Sequence, residues 1–219
     1  MADEQLQSTK SPTEVGTLNE TDKWPYIPAK YQKIFSGKRE ILWIVIHDME
    51  APKSEGRARQ VARYFQNPSR AGSSHVTVDD KEIIQCVLDN NIAAGAVGAN
   101  THGLHIEQPG YAAENPAQWD DPYGKAAMEH AADVAAQWCH KFNIPVRHLT
   151  NEEYGAGQKG ILGHLQVTQE AQAKHQPNTG HTDPGLSFPW TYFMGRVQFY
   201  YEKLSPPSNA QGPKSGSGE

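Results

Sequence analysis

The sequence predicts an α/β domain with a mixed central β-sheet flanked by helices. Three observations lead there. ILWIVIH (41–47) is a continuous apolar run of the kind a strand shows when both its faces are buried. KAAMEHAADVAAQWCHKFNIP (125–145) carries one apolar helical stripe from Met128 to Phe142. Other β-rich runs alternate with further helical segments along the chain, and that interleaving is the mark of an α/β fold.

Each element has its own signal. Residues 1–23 are polar and charged and read as a disordered arm. After the first strand, GRARQVARYFQNP predicts a helix with Val61, Tyr64 and Phe65 on one face, stopped by Asn67-Pro68. SSHVTVDDKEIIQCVL (73–88) is two short β-rich runs around a DDKE turn, a hairpin. THGLHIEQPG (101–110) alternates: Leu104 and Ile106 point one way, Gly103, His105 and Glu107 the other. In the long helix, Met128, Ala131, Ala132, Ala135, Trp138, Cys139 and Phe142 form the stripe, and Asn143-Ile144-Pro145 ends it. GILGHLQV (160–167) fits a short strand leaving its edge at His164. FPWTYFMGRVQFYY closes the domain as a helix with Pro189 in its first turn and Trp190, Phe193, Met194 and Val197 inward. SPPSNAQGPKSGSGE is a Pro/Gly/Ser tail or linker, so the expected division is an arm over 1–23, one catalytic domain over 24–203 and a tail over 204–219.

The totals exclude several functions. The net charge of −5 gives no basic surface, which argues against a nucleic-acid partner. No apolar run is long enough to span a membrane, so no membrane insertion is expected. The start lacks a charged-then-apolar leader, and synthesis in the cytoplasm without a signal peptide is expected. The two cysteines, Cys86 and Cys139, lie in apolar surroundings and read as buried thiols, with a disulfide as the alternative.

Ten histidines are many for 219 residues. His130 and His140 on helix faces, His148 and His175 in polar loops, and His102 read as surface or capping groups. Three positions differ. His47 ends a buried strand, His164 follows Gly163 at the end of another apolar run, and Asp183 sits in a turn set by Pro184 and Gly185. Side chains at strand ends and in tight turns can be held still, as metal ligands must be. Two imidazoles and a carboxylate suit Zn²⁺ with one position left for water. The spacing is not diagnostic, and a satisfied core histidine at His47 is the alternative.

Five segments, WIVIHDME (43–50), SSHVTVDDKEIIQCV (73–87), GANTHGLHIEQPGYA (98–112), GILGHLQVT (160–168) and HTDPGLSFPW (181–190), together resemble the type-2 N-acetylmuramoyl-L-alanine amidases. That family is related in fold to peptidoglycan-recognition proteins. The wording of IHDME, GYA and HTDPG is nearest to endolysins of phages that infect actinobacteria. The resemblance implies a single amidase domain that binds peptidoglycan and uses zinc. It implies His47, His164 and Asp183 as metal ligands, Glu107 as catalytic acid and base, and His181 as an oxyanion stabiliser in place of the family's frequent lysine. It further implies a phage or prophage endolysin that acts on the cell wall after holin-mediated release, although a bacterial origin is equally consistent with the residues; a monomer is expected. A non-catalytic binding module of the same fold is the alternative, although such modules typically lose a ligand.

Three departures from the family pattern stand out. The usual Trp-His-Ala is here Ala94-Gly95-Ala96. The glycine of Gly-Ile-Glu is His105. The hairpin position often filled by tyrosine is Ser74, which leaves Glu107 as the base. His105 is placed either to contact substrate or to crowd the metal, and His75 either to pack and hydrogen-bond or to reach the groove.

Overall fold

The computed structural model describes residues 23–204. The expected arm and tail lie outside these residues, apart from Lys23 and Leu204. In chain order the elements are β1 (Gln32–Lys33), β2 (Trp43–Asp48), α1 (Arg57–Tyr64), β3 (Val76–Val78), β4 (Ile83–Gln85), β5 (Ile92–Ala93) and β6 (Gly103–Gln108). Then come α2 (Pro116–Trp119), α3 (Pro122–Phe142), α4 (Asn151–Gly155), β7 (Gly160–Gly163), α5 (His164–Ala173) and α6 (Trp190–Leu204).

Five strands form the main sheet in the order β4-β3-β6-β2-β7, and β1 pairs with β5 in a separate ribbon. Strand β2 lies parallel to both β6 and β7, and β3 lies parallel to β6. Only β4 runs antiparallel, through the expected hairpin, so the sheet is mixed.

The alternation along β2 and β6 builds two apolar layers. Ile44, Ile46, Leu104 and Ile106 face α3 and α6 together with Met128, Trp138 and Phe193. Trp43, Val45 and Leu162 face the other way, under Tyr154 of α4 and Val167 of α5. A third cluster joins Ala58 and Ala62 of α1 to Ile84 and Cys86. All six residues of β2 are buried, as the unbroken apolar run requires.

Helix α3 begins at an Asp121 cap, whose carboxylate accepts the Gly124 N–H at 2.6 Å. It ends where Asn143 turns left-handed at φ 52° and the Ile144 N–H reaches the Cys139 carbonyl. Its expected stripe is buried except for Phe142, which is partly covered. Both cysteines are buried and free, and burial pushes each thiol up to about 12.

Two local expectations need correction. The apolar run at 160–163 is a strand, but His164 opens helix α5 rather than continuing an extended edge. In α1, Phe65 is buried and Val61 partly so, while Tyr64 turns outward and is exposed. Pro189 lies one residue before α6, where its carbonyl accepts the Phe193 N–H. No described helix is long and apolar enough to cross a membrane.

Candidate metal centre and groove

The carboxyl ends of β2, β6 and β7 lie side by side, and ligand sites of parallel α/β sheets form at such ends. His47 is paired in register with Glu107, and Ile46 with Gly163, so His164 follows directly at the same rim. The fourth group comes from a distant turn. The Asp183 carbonyl accepts the Leu165 N–H at 2.8 Å, which ties this turn to the start of α5. The Asp183–Pro184 peptide is cis. Gly185 holds φ 92°, and a Cβ there would lie 2.0 Å from the Ala112 carbonyl oxygen, so only glycine fits.

His47, His164 and Asp183 converge. Each offers a ligand atom, and these atoms lie within 4.8 Å of one another. All three are buried. His47 Nδ1 is 2.8 Å from Asp183 Oδ2, and His164 Nδ1 is 3.2 Å from Asp183 Oδ1. The second contact lacks hydrogen-bond alignment, which leaves Asp183 Oδ1 buried without a partner. A buried carboxylate oxygen left unpaired beside two imidazoles is the donor set a divalent cation satisfies. The two imidazoles hold the Asp183 carboxyl far below the usual carboxylate range, against the effect of burial. Burial lowers the His164 pKa, which favours the neutral imidazole that binds metal.

Three other groups complete the wall. His181 is more than half exposed and stacks on His164 with ring centroids 4.9 Å apart and planes 8° from parallel. Its Nδ1 stands 3.6 Å from Asp183 Oδ1. Glu107 keeps partial contact with the groove, yet its Oε2 is buried and unpartnered. Burial, then the Asp183 and Asp48 carboxylates, raise the Glu107 pKa well above the usual range. Asp48, which the sequence reading passed over, lines the same groove and is pushed up to about 7, chiefly by burial. Its place directly after His47 was the available signal. The groove measures about 560 Å³, and Arg57, Gln60 and Tyr64 of α1 form its far side.

The departures from the family pattern resolve inside the fold. His105 is fully buried and reaches no substrate; its Nδ1 is 3.0 Å from His47 Nε2. A Cβ on Gly95 would lie 2.6 Å from that same Nδ1, so the small residue at 95 and the large one at 105 share one volume. His75 is fully buried too, with its Nδ1 accepting the His105 backbone N–H at 3.1 Å, so it packs and hydrogen-bonds and stays out of the groove. Ser74 Oγ donates to the His105 carbonyl at 2.7 Å and also points inward. Among the histidines expected at the surface, His140 and His175 are exposed, while His102, His130 and His148 are half-buried, and His148 stacks on Trp190 at 3.8 Å.

Comparison with known proteins fits this arrangement. Among curated proteins none matches the chain. Among solved structures, a Staphylococcus aureus hydrolase, AmiA, in complex with its ligand superposes with a TM-score of 0.56 at 19% identity, over 82% of each chain. A mutant endolysin from Bacillus subtilis gives 0.53 at 20% identity, over 78% of this chain and 95% of that one. A selenomethionine derivative of AmpD gives 0.51 at 17% identity, over 78% and 93%. At these identities the likeness speaks for the fold. The N-acetylmuramoyl-L-alanine amidase family, by contrast, matches in sequence over residues 37–186, well over half of the chain and spanning every group of the centre just described, and the chain belongs to that family.

Proposed function

We propose that the protein is a zinc-dependent amidase that hydrolyses the amide between N-acetylmuramic acid and L-alanine in peptidoglycan, and that it serves as a phage or prophage endolysin. The observation that carries the enzymatic reading is the convergence of His47, His164 and Asp183 at the floor of a groove that also holds Glu107. The endolysin role rests on the motif wording at IHDME, GYA and HTDPG.

His47, His164 and Asp183 would hold the zinc, and no CxxC pair competes for it. Bound there, zinc supplies Lewis acidity toward the substrate carbonyl and activates water near neutral pH. Glu107 has the raised proton affinity of a carboxyl that can take a proton from water and return it to the departing amine. His181, at the exposed rim, would donate a hydrogen bond to the oxyanion as charge develops. Peptidoglycan lies along the groove between these groups and α1.

The test is release of free L-alanine amino termini from purified actinobacterial peptidoglycan. Native protein, chelated protein, chelated protein with zinc restored and Glu107→Ala are compared. Activity should vanish on chelation, return with zinc and be absent in the variant. No release from any sample, with zinc bound stoichiometrically, would overturn the enzyme and leave a binding module.

A further inference from the structure

We infer that His105 is a positioning residue for the metal-facing imidazole of His47, and that Gly95 provides the clearance that lets it act. The inference rests on the metal-site reading above and adds a member to it.

Both nitrogens of His47 are engaged. Nδ1 faces Asp183 at 2.8 Å and Nε2 faces His105 Nδ1 at 3.0 Å. A ring fixed at one nitrogen can still swing; one fixed at both has a defined plane. Histidines that bind metal almost always donate the remaining N–H to a partner, which sets both tautomer and orientation. Among the described residues no carboxylate or carbonyl accepts from His47 Nε2; its partner is an imidazole. With the Nδ1 lone pair directed at a cation, Nε2 of His47 carries the proton and His105 Nδ1 accepts it.

His105 is itself held from behind. Its ring stacks on His75 at 5.6 Å with planes 15° apart. Its backbone N–H donates to His75 Nδ1, and its carbonyl accepts from Ser74 Oγ. His75 is anchored in turn, its Nε2 donating to the Asn91 carbonyl at 3.2 Å. The support therefore runs from Asn91 through His75 and His105 to His47.

Filling space does not explain the imidazole. His105 Nε2 is buried with no partner, a cost that an aliphatic side chain would avoid. The backbone has also made room for it: a Cβ at Gly95 would sit 2.6 Å from Nδ1. A buried polar group that is only half satisfied, in space left open by Gly95, points to use of the satisfied half.

The experiment measures Zn²⁺ affinity by competition with a chromogenic chelator for the native protein, His105→Leu, His105→Asn and Gly95→Ala. Melting of the metal-free proteins confirms folding. Leucine keeps the volume and removes the acceptor; asparagine keeps an acceptor where Nδ1 stands. His105→Leu should bind zinc about 10–100-fold more weakly, and His105→Asn should recover most of that loss. Gly95→Ala should weaken binding by displacing the ring while leaving residue 105 untouched, and it decides the matter if His105→Leu does not fold. Native affinity in folded His105→Leu or Gly95→Ala would overturn the inference. So would equal losses in the leucine and asparagine variants, which would mean packing alone. A native protein that binds no zinc would remove the metal-site reading and this inference together.

Discussion

Gly163 and Pro184 touch so closely that a Cβ on Gly163 would lie 2.7 Å from Pro184 Cδ. Each is the sequence neighbour of a proposed ligand, His164 and Asp183. The contact sets the spacing between the two ligands from opposite sides. Gly163→Ala should therefore weaken zinc binding at least about tenfold and cost about 1–3 kcal/mol of stability, the usual price of overpacking. Chelator competition and denaturant unfolding read the two effects. Native values in both would show that the turn gives way without moving Asp183.

His181 is expected to act on the reaction and not on the metal. It is exposed, and its Nδ1 is farther from Asp183 than either buried imidazole. His181→Ala should lose about 10²–10³ in turnover, the usual cost of one oxyanion donor, with zinc retained. Metal content is measured beside steady-state rates. Normal turnover in a zinc-loaded variant would remove His181 from the mechanism.

His75 should make stability depend on pH. Burial, then the Arg39 charge, hold its pKa well below that of free histidine. The unfolded chain therefore binds a proton that the folded protein refuses. The contribution is fully present above about pH 6.5 and is lost as pH falls toward the folded value, by about 1.4 kcal/mol per pH unit for this one proton. His75→Asn keeps an acceptor for the His105 N–H and removes the titration. Between about pH 6.5 and 5 its unfolding free energy should fall less steeply than that of the native chain. Parallel slopes would mean that His75 is protonated in the folded state.

Arg39 anchors the loop before β6. Its Nη1 donates to the carbonyls of Asn100, Thr101 and Gly103, and its Nη2 donates to that of Asp89 at 2.7 Å. Arg39→Leu leaves these buried acceptors short of donors and should destabilise by about 3–5 kcal/mol. Chemical denaturation checks this; a loss below about 1 kcal/mol would show that water replaces the guanidinium.

The sequence made some of this legible and hid the rest for identifiable reasons. Strand β2 was readable because six consecutive residues are buried, and β6 because its two faces differ in polarity. Helix α5 was not. Its buried residues are His164, Val167, Thr168 and Ala171, too polar a set to show an apolar period. The two-residue strands β1 and β5 carry no periodicity at all. The four ends that meet at the centre lie far apart in the chain, and only the family motifs linked them. The exchange of bulk between Gly95 and His105 left two separate irregularities in the sequence, and their common cause needed the distance between them.

The borders of the main sheet carry a practical consequence. An uncovered strand edge invites pairing with another chain. Strand β4 is covered by the segment before β1: the Gln85 N–H reaches the Pro25 carbonyl, and Ile27 and Ala29 donate to the Gln85 and Cys86 carbonyls. At the opposite border, β7 is bridged by His148 through Ile161. A shortened chain starting before Trp24 would keep the first cover. One starting after Ala29 would bare an edge whose natural remedy is a second molecule, and it should aggregate on expression even with every residue of the catalytic groove in place.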